Sequence, residues 1–373
     1  MTKKQRFMAA VRGEVLDMVP ASPLIYDRYS HAVLGRTGWQ AHFDVHQMIG
    51  SIHHRGNGHV GVNIHMPDGY GWESREVDRR PDGRVTTETI WRSPYGELKS
   101  REVVGAIPHD PMAGKTVEYF VKDESDWRIY RRVLEDQLAG AADPTWDDYL
   151  RVAAVFGDDA VAGVGLPSPF QNLVNSIRGM ADLLTDLYDC PDLIESILDL
   201  ERELARKGIE AFVASPAELA FQDICSGTGA NIGPELFAKW VLPDVRLATT
   251  LIRQAPGKCI GLYTLGPIRD LMPMFADAGV HFVESFEPNQ GNITLAEAKR
   301  LYGDRICLVG NFNCLVLAFG SLEEARKEAM RCLHEGMDGG RYVLATADEV
   351  PANTKMDNLK AMVETVEKHG RYR

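Results

Sequence analysis

Four acidic residues stand at or just past the ends of short apolar runs: Asp223 after 217–222, Glu284 and Glu287 within His281-Phe-Val-Glu-Ser-Phe-Glu287, and Asp348 after 341–347. At the carboxyl end of a parallel strand a carboxylate can reach a barrel mouth, where it accepts a hydrogen bond or handles a proton. Glu284 and Glu287 differ by three, so a regular strand through both turns only one of them inward. The competing reading of either is an ion pair with a neighbouring arginine. Tyr263, ending the 258–263 run, brings a hydroxyl to the same level, or packs its ring there. Asn311 and Asn313 follow Gly310 and offer amide donors to a bound oxygen, or else cap a loop. His65 closes the 59–65 run as a second acid or ligand, while Tyr26 and Gln171 are candidates for a pocket wall. Cys314 is either a metal ligand or a small buried hydrophobe.

These side chains meet only if the chain supplies parallel strands in the right order. Between Lys258 and Asp348 four apolar runs each end in polar residues and pass into a helical pattern, the mark of repeated strand–helix units. Adding the earlier runs gives eight strands, at about 19–25, 59–65, 160–166, 217–223, 258–264, 281–286, 305–310 and 341–346, the number a small closed barrel uses. The predicted fold class is therefore α/β, a (β/α)8 TIM barrel forming one domain over residues 1–373. Residues 2–12 add an N-terminal helical extension. Residues 70–121 alternate with period two around Pro81-Asp-Gly83 and Ser93-Pro-Tyr-Gly96, and predict an inserted antiparallel β-meander.

With 53 acidic against 41 basic residues the net charge is −12, which argues against a nucleic-acid surface. Six scattered cysteines without a CxxC pair suggest neither a disulfide framework nor a zinc ribbon. No run approaches the length of a membrane span and the amino terminus lacks an apolar leader core, so a cytoplasmic enzyme is expected. His42, His46, His53, His54 and His59 have no acidic partners at ligand spacing and read as surface. Glycines 227, 229 and 233 miss the dinucleotide spacing.

Taken in order, several fragments resemble the uroporphyrinogen decarboxylase superfamily over nearly the whole chain. They are Gln5-Arg-Phe-Met-Ala-Ala-Val-Arg-Gly13 with Asp17-Met-Val-Pro20, Phe221-Gln-Asp-Ile224 with Ile232-Gly-Pro-Glu-Leu-Phe237, Gly310-Asn-Phe-Asn313, and Gly339-Gly-Arg-Tyr-Val-Leu344 with Pro351-Ala-Asn-Thr354. The arginine cluster with which true decarboxylases hold a tetrapyrrole's carboxylates is missing from residues 19–28, and burying unpaired anions is prohibitive. The resemblance therefore points to the corrinoid-dependent methyltransferase-like branch. Members that methylate thiols ligate zinc through His-x-Cys and a later Cys, where this chain has Tyr263-Thr-Leu265 and Ala345-Thr-Ala347.

What the resemblance implies is transfer of a methyl group from a small methylated substrate, an aryl or alkyl methyl ether, to the cobalt of a corrinoid protein, as in an O-demethylase component. Activating the leaving oxygen takes either a metal, with zinc held by Glu287, Cys314 and Asp348, or side-chain acids, with Asp223, Tyr263, His65 and Glu284 as the candidates. Tyr26, Gln171, Asn311 and Asn313 would bind the substrate. The partner is then the corrinoid protein, with a homodimer as an open option. Two other readings stand beside it: a decarboxylase or lyase of a small non-porphyrin carboxylate, and a non-catalytic corrinoid-binding partner.

Overall fold

Six parallel strands carry the architecture, in the spatial order Tyr342–Thr346, Cys307–Phe312, Phe282–Glu284, Cys259–Tyr263, Leu219–Asp223, Val164–Leu166. The computed structural model describes residues 1–55, 58–105, 107, 110 and 112–372. The strands are almost wholly buried, as expected when helices cover a parallel sheet. Helices Met272–Ala278, Leu295–Tyr302, Leu322–Gly336 and Met356–His369 alternate with the last four strands.

Backbone hydrogen bonds continue beyond both edges of this sheet. Leu344 N donates to Pro20 O and Ser22 N to Leu344 O, each at 2.9 Å; Ile52 N donates to Ala21 O at 2.9 Å; Val161 N donates to His53 O at 2.8 Å. Residues 20–22 and 51–55 thus lead from the Tyr342–Thr346 edge to the chain that enters Val164–Leu166. The expected second strand at 59–65 is not among these segments. Gly61–Ile64 pairs antiparallel with Ala141–Thr145, and its place is taken by 51–55. The physical reason is burial: Gly61–Ile64 is largely exposed, and a strand of a covered parallel sheet needs two apolar faces.

Side-chain alternation decides what fills the interior. Leu219, Cys259, Phe282, Cys307, Val309, Val343 and Ala345 form one buried cluster with Ile52 and Val161, against which Phe221 packs. Gly261 is required there, because a Cβ would lie 2.3 Å from the Phe282 ring. Helix Lys3–Arg12 supplies Phe7, Met8, Ala9, Ala10 and Val11 to the same cluster. It begins with a capping box between Thr2 and Gln5 and ends on Gly13 in the left-handed conformation, which glycine adopts freely.

The chain divides into two compact units. The first comprises residues 1–60, 146–166 and 212–373 and holds the parallel sheet; the second comprises 61–145 and 167–211. Within the second, Gly71–Arg79, Val85–Ser93, Gly96–Val104 and Gly114–Glu118 make a sequential antiparallel sheet, so the meander expected from alternation and turn residues is present. Glu88 ties it together by pairing with Arg75 at 2.7 Å and Arg101 at 2.8 Å on the flanking strands.

Of the histidine run only His59 is exposed as expected. His42, His46, His53 and His54 are buried. Two of them find polar partners that ligand spacing does not mark: His42 Nε2 meets Asp27 Oδ1 on the preceding helix at 2.7 Å, and His46 Nδ1 meets Ser51 Oγ just past its own helix at 2.6 Å. Burial pushes both imidazoles below the ordinary value of 6.5, well below it for His46. Nδ1 of His42 and Nε2 of His46 are buried without a partner, which suits a bare ring nitrogen and not a protonated one. Because the folded values are depressed, the stability tied to the neutral rings is complete above pH 6.5 and is lost as the pH falls below it. The urea midpoint should drop between pH 7 and pH 5.5, and the slope should shrink in His46→Gln; a flat midpoint over that range would contradict the assignment.

Candidate functional site

Asp223, Tyr263 and Glu284 are the last residues of three adjacent parallel strands. Asp223 is the register partner of Tyr263, and Tyr263 of Glu284, so the three stand side by side at one level. Each also shares a face with an interior residue two positions earlier: Phe221, Gly261 and Phe282. The strand ends that the sequence marked are therefore brought together, and it is Glu284 that turns inward.

Glu284 is fully buried. One carboxylate oxygen lies 2.7 Å from His54 Nε2 and the other 2.6 Å from an Arg55 nitrogen. His54 Nδ1 lies 2.6 Å from Ser22 Oγ, whose hydroxyl donates to Ile52 O at 2.6 Å, and Phe7 stacks on the imidazole at 4.7 Å. Burial by itself would push the Glu284 carboxyl up; the Arg55 and His54 charges and hydrogen bonds outweigh it and hold it below the usual carboxylate range. The residue after it, Ser285, has φ +59° although it is not glycine, and its hydroxyl is buried without a partner. Such backbone strain persists only where surrounding contacts enforce it. Here Ser285 N donates to Val309 O at 3.1 Å and Thr264 N to Glu284 O at 3.1 Å.

Arg55, which the sequence reading missed, is 3% exposed. Its guanidinium lies 3.9 Å from the centre of the Phe221 ring and 4.7 Å from that of Tyr263. Stacking on two aromatic faces favours arginine over lysine, because a planar, weakly hydrated cation loses less on leaving water. The Tyr263 hydroxyl donates to Asp348 Oδ1 at 2.6 Å, and Glu349 N donates to the same oxygen at 2.7 Å. Burial first, then the Asp348 charge, pushes the Tyr263 phenol far up, so it serves as a hydrogen-bond donor and gives up its proton with difficulty. Tyr26 is also pushed up, by burial and by the charges of Glu284, Glu349 and Asp223, against a lowering by Arg55. Asp223 accepts from Cys225 N at 2.9 Å.

The remaining expectations fare differently. Glu287 turns away into its own loop, accepting from Gln290 N at 2.6 Å. Cys314 Sγ donates to Asp348 O at 3.4 Å, and burial raises its thiol to about 12. Cys314 meets only the backbone oxygen of Asp348, the Asp348 carboxylate is taken by Tyr263 and Glu287 is bonded within its loop, so as arranged the three do not converge as a zinc set. Among the described residues no group of three His, Cys, Asp or Glu side chains is gathered to hold a metal. Asn311 accepts at its side-chain oxygen from Arg331 of helix Leu322–Gly336 at 3.1 Å, and Asn313 caps helix Cys314–Phe319, accepting from Leu315 N at 3.0 Å. Both are engaged in structural bonds, which is the capping alternative for Asn313. His65 is exposed in the second unit, bonded through its backbone to Gly140, and Gln171 is buried in that unit. Neither belongs to the unit that holds the strand ends.

Comparison with known proteins adds an independent line. The family model described as uroporphyrinogen decarboxylase (URO-D) matches residues 131–369. Over 203 residues the chain is 27% identical to a methylcobamide:CoM methyltransferase, MtaA, of Methanosarcina barkeri, covering 51% of this chain and 56% of that protein. It is 25% identical over 197 residues to a uroporphyrinogen decarboxylase of Thioalkalivibrio sulfidiphilus, covering 52% of each. The chain thus spans about half the length of the curated relatives it matches. A methyltransferase from Methanosarcina mazei shares the fold with a TM-score of 0.64 at 17% identity, over 99% of both chains.

Removing one member of the buried pair leaves the other charge uncompensated. Glu284→Gln should cost about 3–5 kcal/mol of stability, read from urea unfolding. The double variant Arg55→Met/Glu284→Gln should cost less than the two single losses added together. Strict additivity would mean that the pair does not interact.

Proposed function

Because this chain belongs to the uroporphyrinogen decarboxylase (URO-D) family, we propose that it moves a methyl group from a small methylated substrate, an aryl or alkyl methyl ether, to the cobalt of a separate corrinoid protein. In this reading residues 20–22 and 51–55 complete a closed (β/α)8 barrel with the six strands, as part of one domain over residues 1–373, and the chemistry sits at their carboxyl ends. The observation that carries it is the level row of Asp223, Tyr263 and Glu284 on three neighbouring strands. The relatives named as methylcobamide methyltransferases supply the reaction class.

Each residue has a task in it. The cobalt, as nucleophile, takes the methyl while the bonding electron pair stays on the ether oxygen. Asp223, at the edge of the row, handles the proton that finally neutralises that oxygen. The Tyr263 hydroxyl, fixed by Asp348, orients the substrate, and Tyr26 adds an aromatic wall. Glu284 keeps Arg55 in place. No step is routed through zinc, since the donor set does not fit it. No helix among the described residues is long and apolar enough to cross a membrane, and a cytoplasmic setting with a corrinoid partner belongs to the same proposal, with a homodimer left open.

One observation favours the second reading, a decarboxylase of a small carboxylate: Arg55 is a buried cation able to hold an anionic group. The test separates the two. Incubated with a methoxyarene and a corrinoid protein reduced to Co(I), the enzyme should convert the Co(I) spectrum to that of methyl-Co(III), and Asp223→Ala should slow this by roughly 10²–10⁴-fold, the usual contribution of a proton-handling group. Release of carbon dioxide from small carboxylates without methyl transfer would replace the proposal with its rival.

A further inference from the structure

We infer that Arg55 is the group that receives the developing negative charge on the substrate's leaving oxygen. The inference rests on the methyl-transfer reading and names the residue that makes it possible. A guanidinium offers five N–H donors, more than one carboxylate can satisfy, and Glu284 lies 2.6 Å from one of its terminal nitrogens. Arg55 Nε, although buried, has no acceptor. A buried donor left unsatisfied is destabilising, and a bound oxygen would satisfy it. Phe221 and Tyr263 hold the guanidinium carbon over their rings, and an aromatic face accepts no conventional N–H hydrogen bond, so the donors are left for other partners. Tyr263 ties the guanidinium to the level of Asp223 and Glu284.

The electron count is simple. The carbon–oxygen bond breaks, its pair stays on oxygen, and the methyl joins cobalt through cobalt's own pair. The oxygen leaves as an alkoxide or phenolate beside a cation that transfers no proton. This explains how the bond can break although the Tyr263 proton is tightly held. Acidic neighbours oppose the effect: Asp223 and Glu284 stand in the same row and Asp348 beside Tyr263. The sign of the local field on a bound oxygen is therefore the decisive quantity. A contact with Arg55 should win, since attraction falls with distance and the acids are engaged with other partners.

A coloured product analogue reads that sign directly. 4-Nitrophenol titrated with the full-length protein should bind as the yellow anion at least about tenfold more tightly than as the neutral phenol, equal to a drop of about one pKa unit. Arg55→Met should abolish the preference. If that variant does not fold, Arg55→Met/Glu284→Gln, which removes both charges, should abolish it too. Equal or weaker binding of the anion, no saturable binding, or a preference that survives the substitution overturns the inference. In methyl transfer, Arg55→Lys should slow anisole, a poor leaving group, more than 4-nitroanisole, a good one. Equal slowing would indicate a purely structural role and would also overturn it. If the wild-type protein methylates Co(I) from no donor, the methyl-transfer reading falls, while the nitrophenol titration still decides the role of Arg55.

Discussion

The contact between Arg55 and Glu284 takes two charges out of water at the end of the parallel strands. Two ions taken out of water lose several kcal/mol each, and their attraction repays this only with good geometry and further hydrogen bonds. The chain gathers those bonds from distant places. His54 reaches Glu284 across 230 residues of sequence, Ser22 sits behind His54, and Phe7 stacks on its ring. Phe221 and Tyr263 cover the guanidinium. The amino-terminal helix, the 51–55 segment and three strands of the sheet are thus adjusted to one another through this pair. A salt bridge so expensive is a poor device for stability alone, and its position at the strand ends gives it a reason to be retained.

Around that pair the site combines two kinds of group. In the proposed reaction, aromatic rings and a fixed cation shape and polarise a small neutral guest, while Asp223 and Asp348 supply oxygens for protons or hydroxyls. The left-handed turn at Ser285 shows how the backbone serves this arrangement, because it ends the Phe282–Glu284 strand at once and keeps Glu284 from being followed by a regular outward residue. The family's tetrapyrrole chemistry needs many cations in one place; here the arginine at the row of strand ends is already balanced by an internal carboxylate. A small guest suits that balance better than a polyanion.

Much of the sheet was legible in the sequence because apolar runs ending in polar residues have few other meanings. Asp223 and Tyr263 were found that way. Glu284 was harder to separate from Glu287, yet the signal existed: Phe282 is an apolar residue two positions earlier, and period two puts Glu284 on its face, whereas Glu287 lies beyond the strand. Arg55 was not legible. Ile52-His-His-Arg55 lacks alternating apolar residues and follows a helical stretch, so it reads as a helix end, and its partners Ser22, Phe221, Tyr263 and Glu284 are supplied only by the fold. The same blindness made buried histidines look like surface. His65 misled in the opposite sense, since a strand-like run can pair antiparallel elsewhere.

The residues beneath Glu284 are packed solid by Phe282, Cys259, Cys307, Val309 and Val343, with Phe7 and Met8 wedged in from the first helix. A floor so filled bars approach from below. If the proposed methyl transfer takes place at this row, arrival and departure of a guest are both confined to the strand-end side, and an acceptor seated there would have to share that route with it.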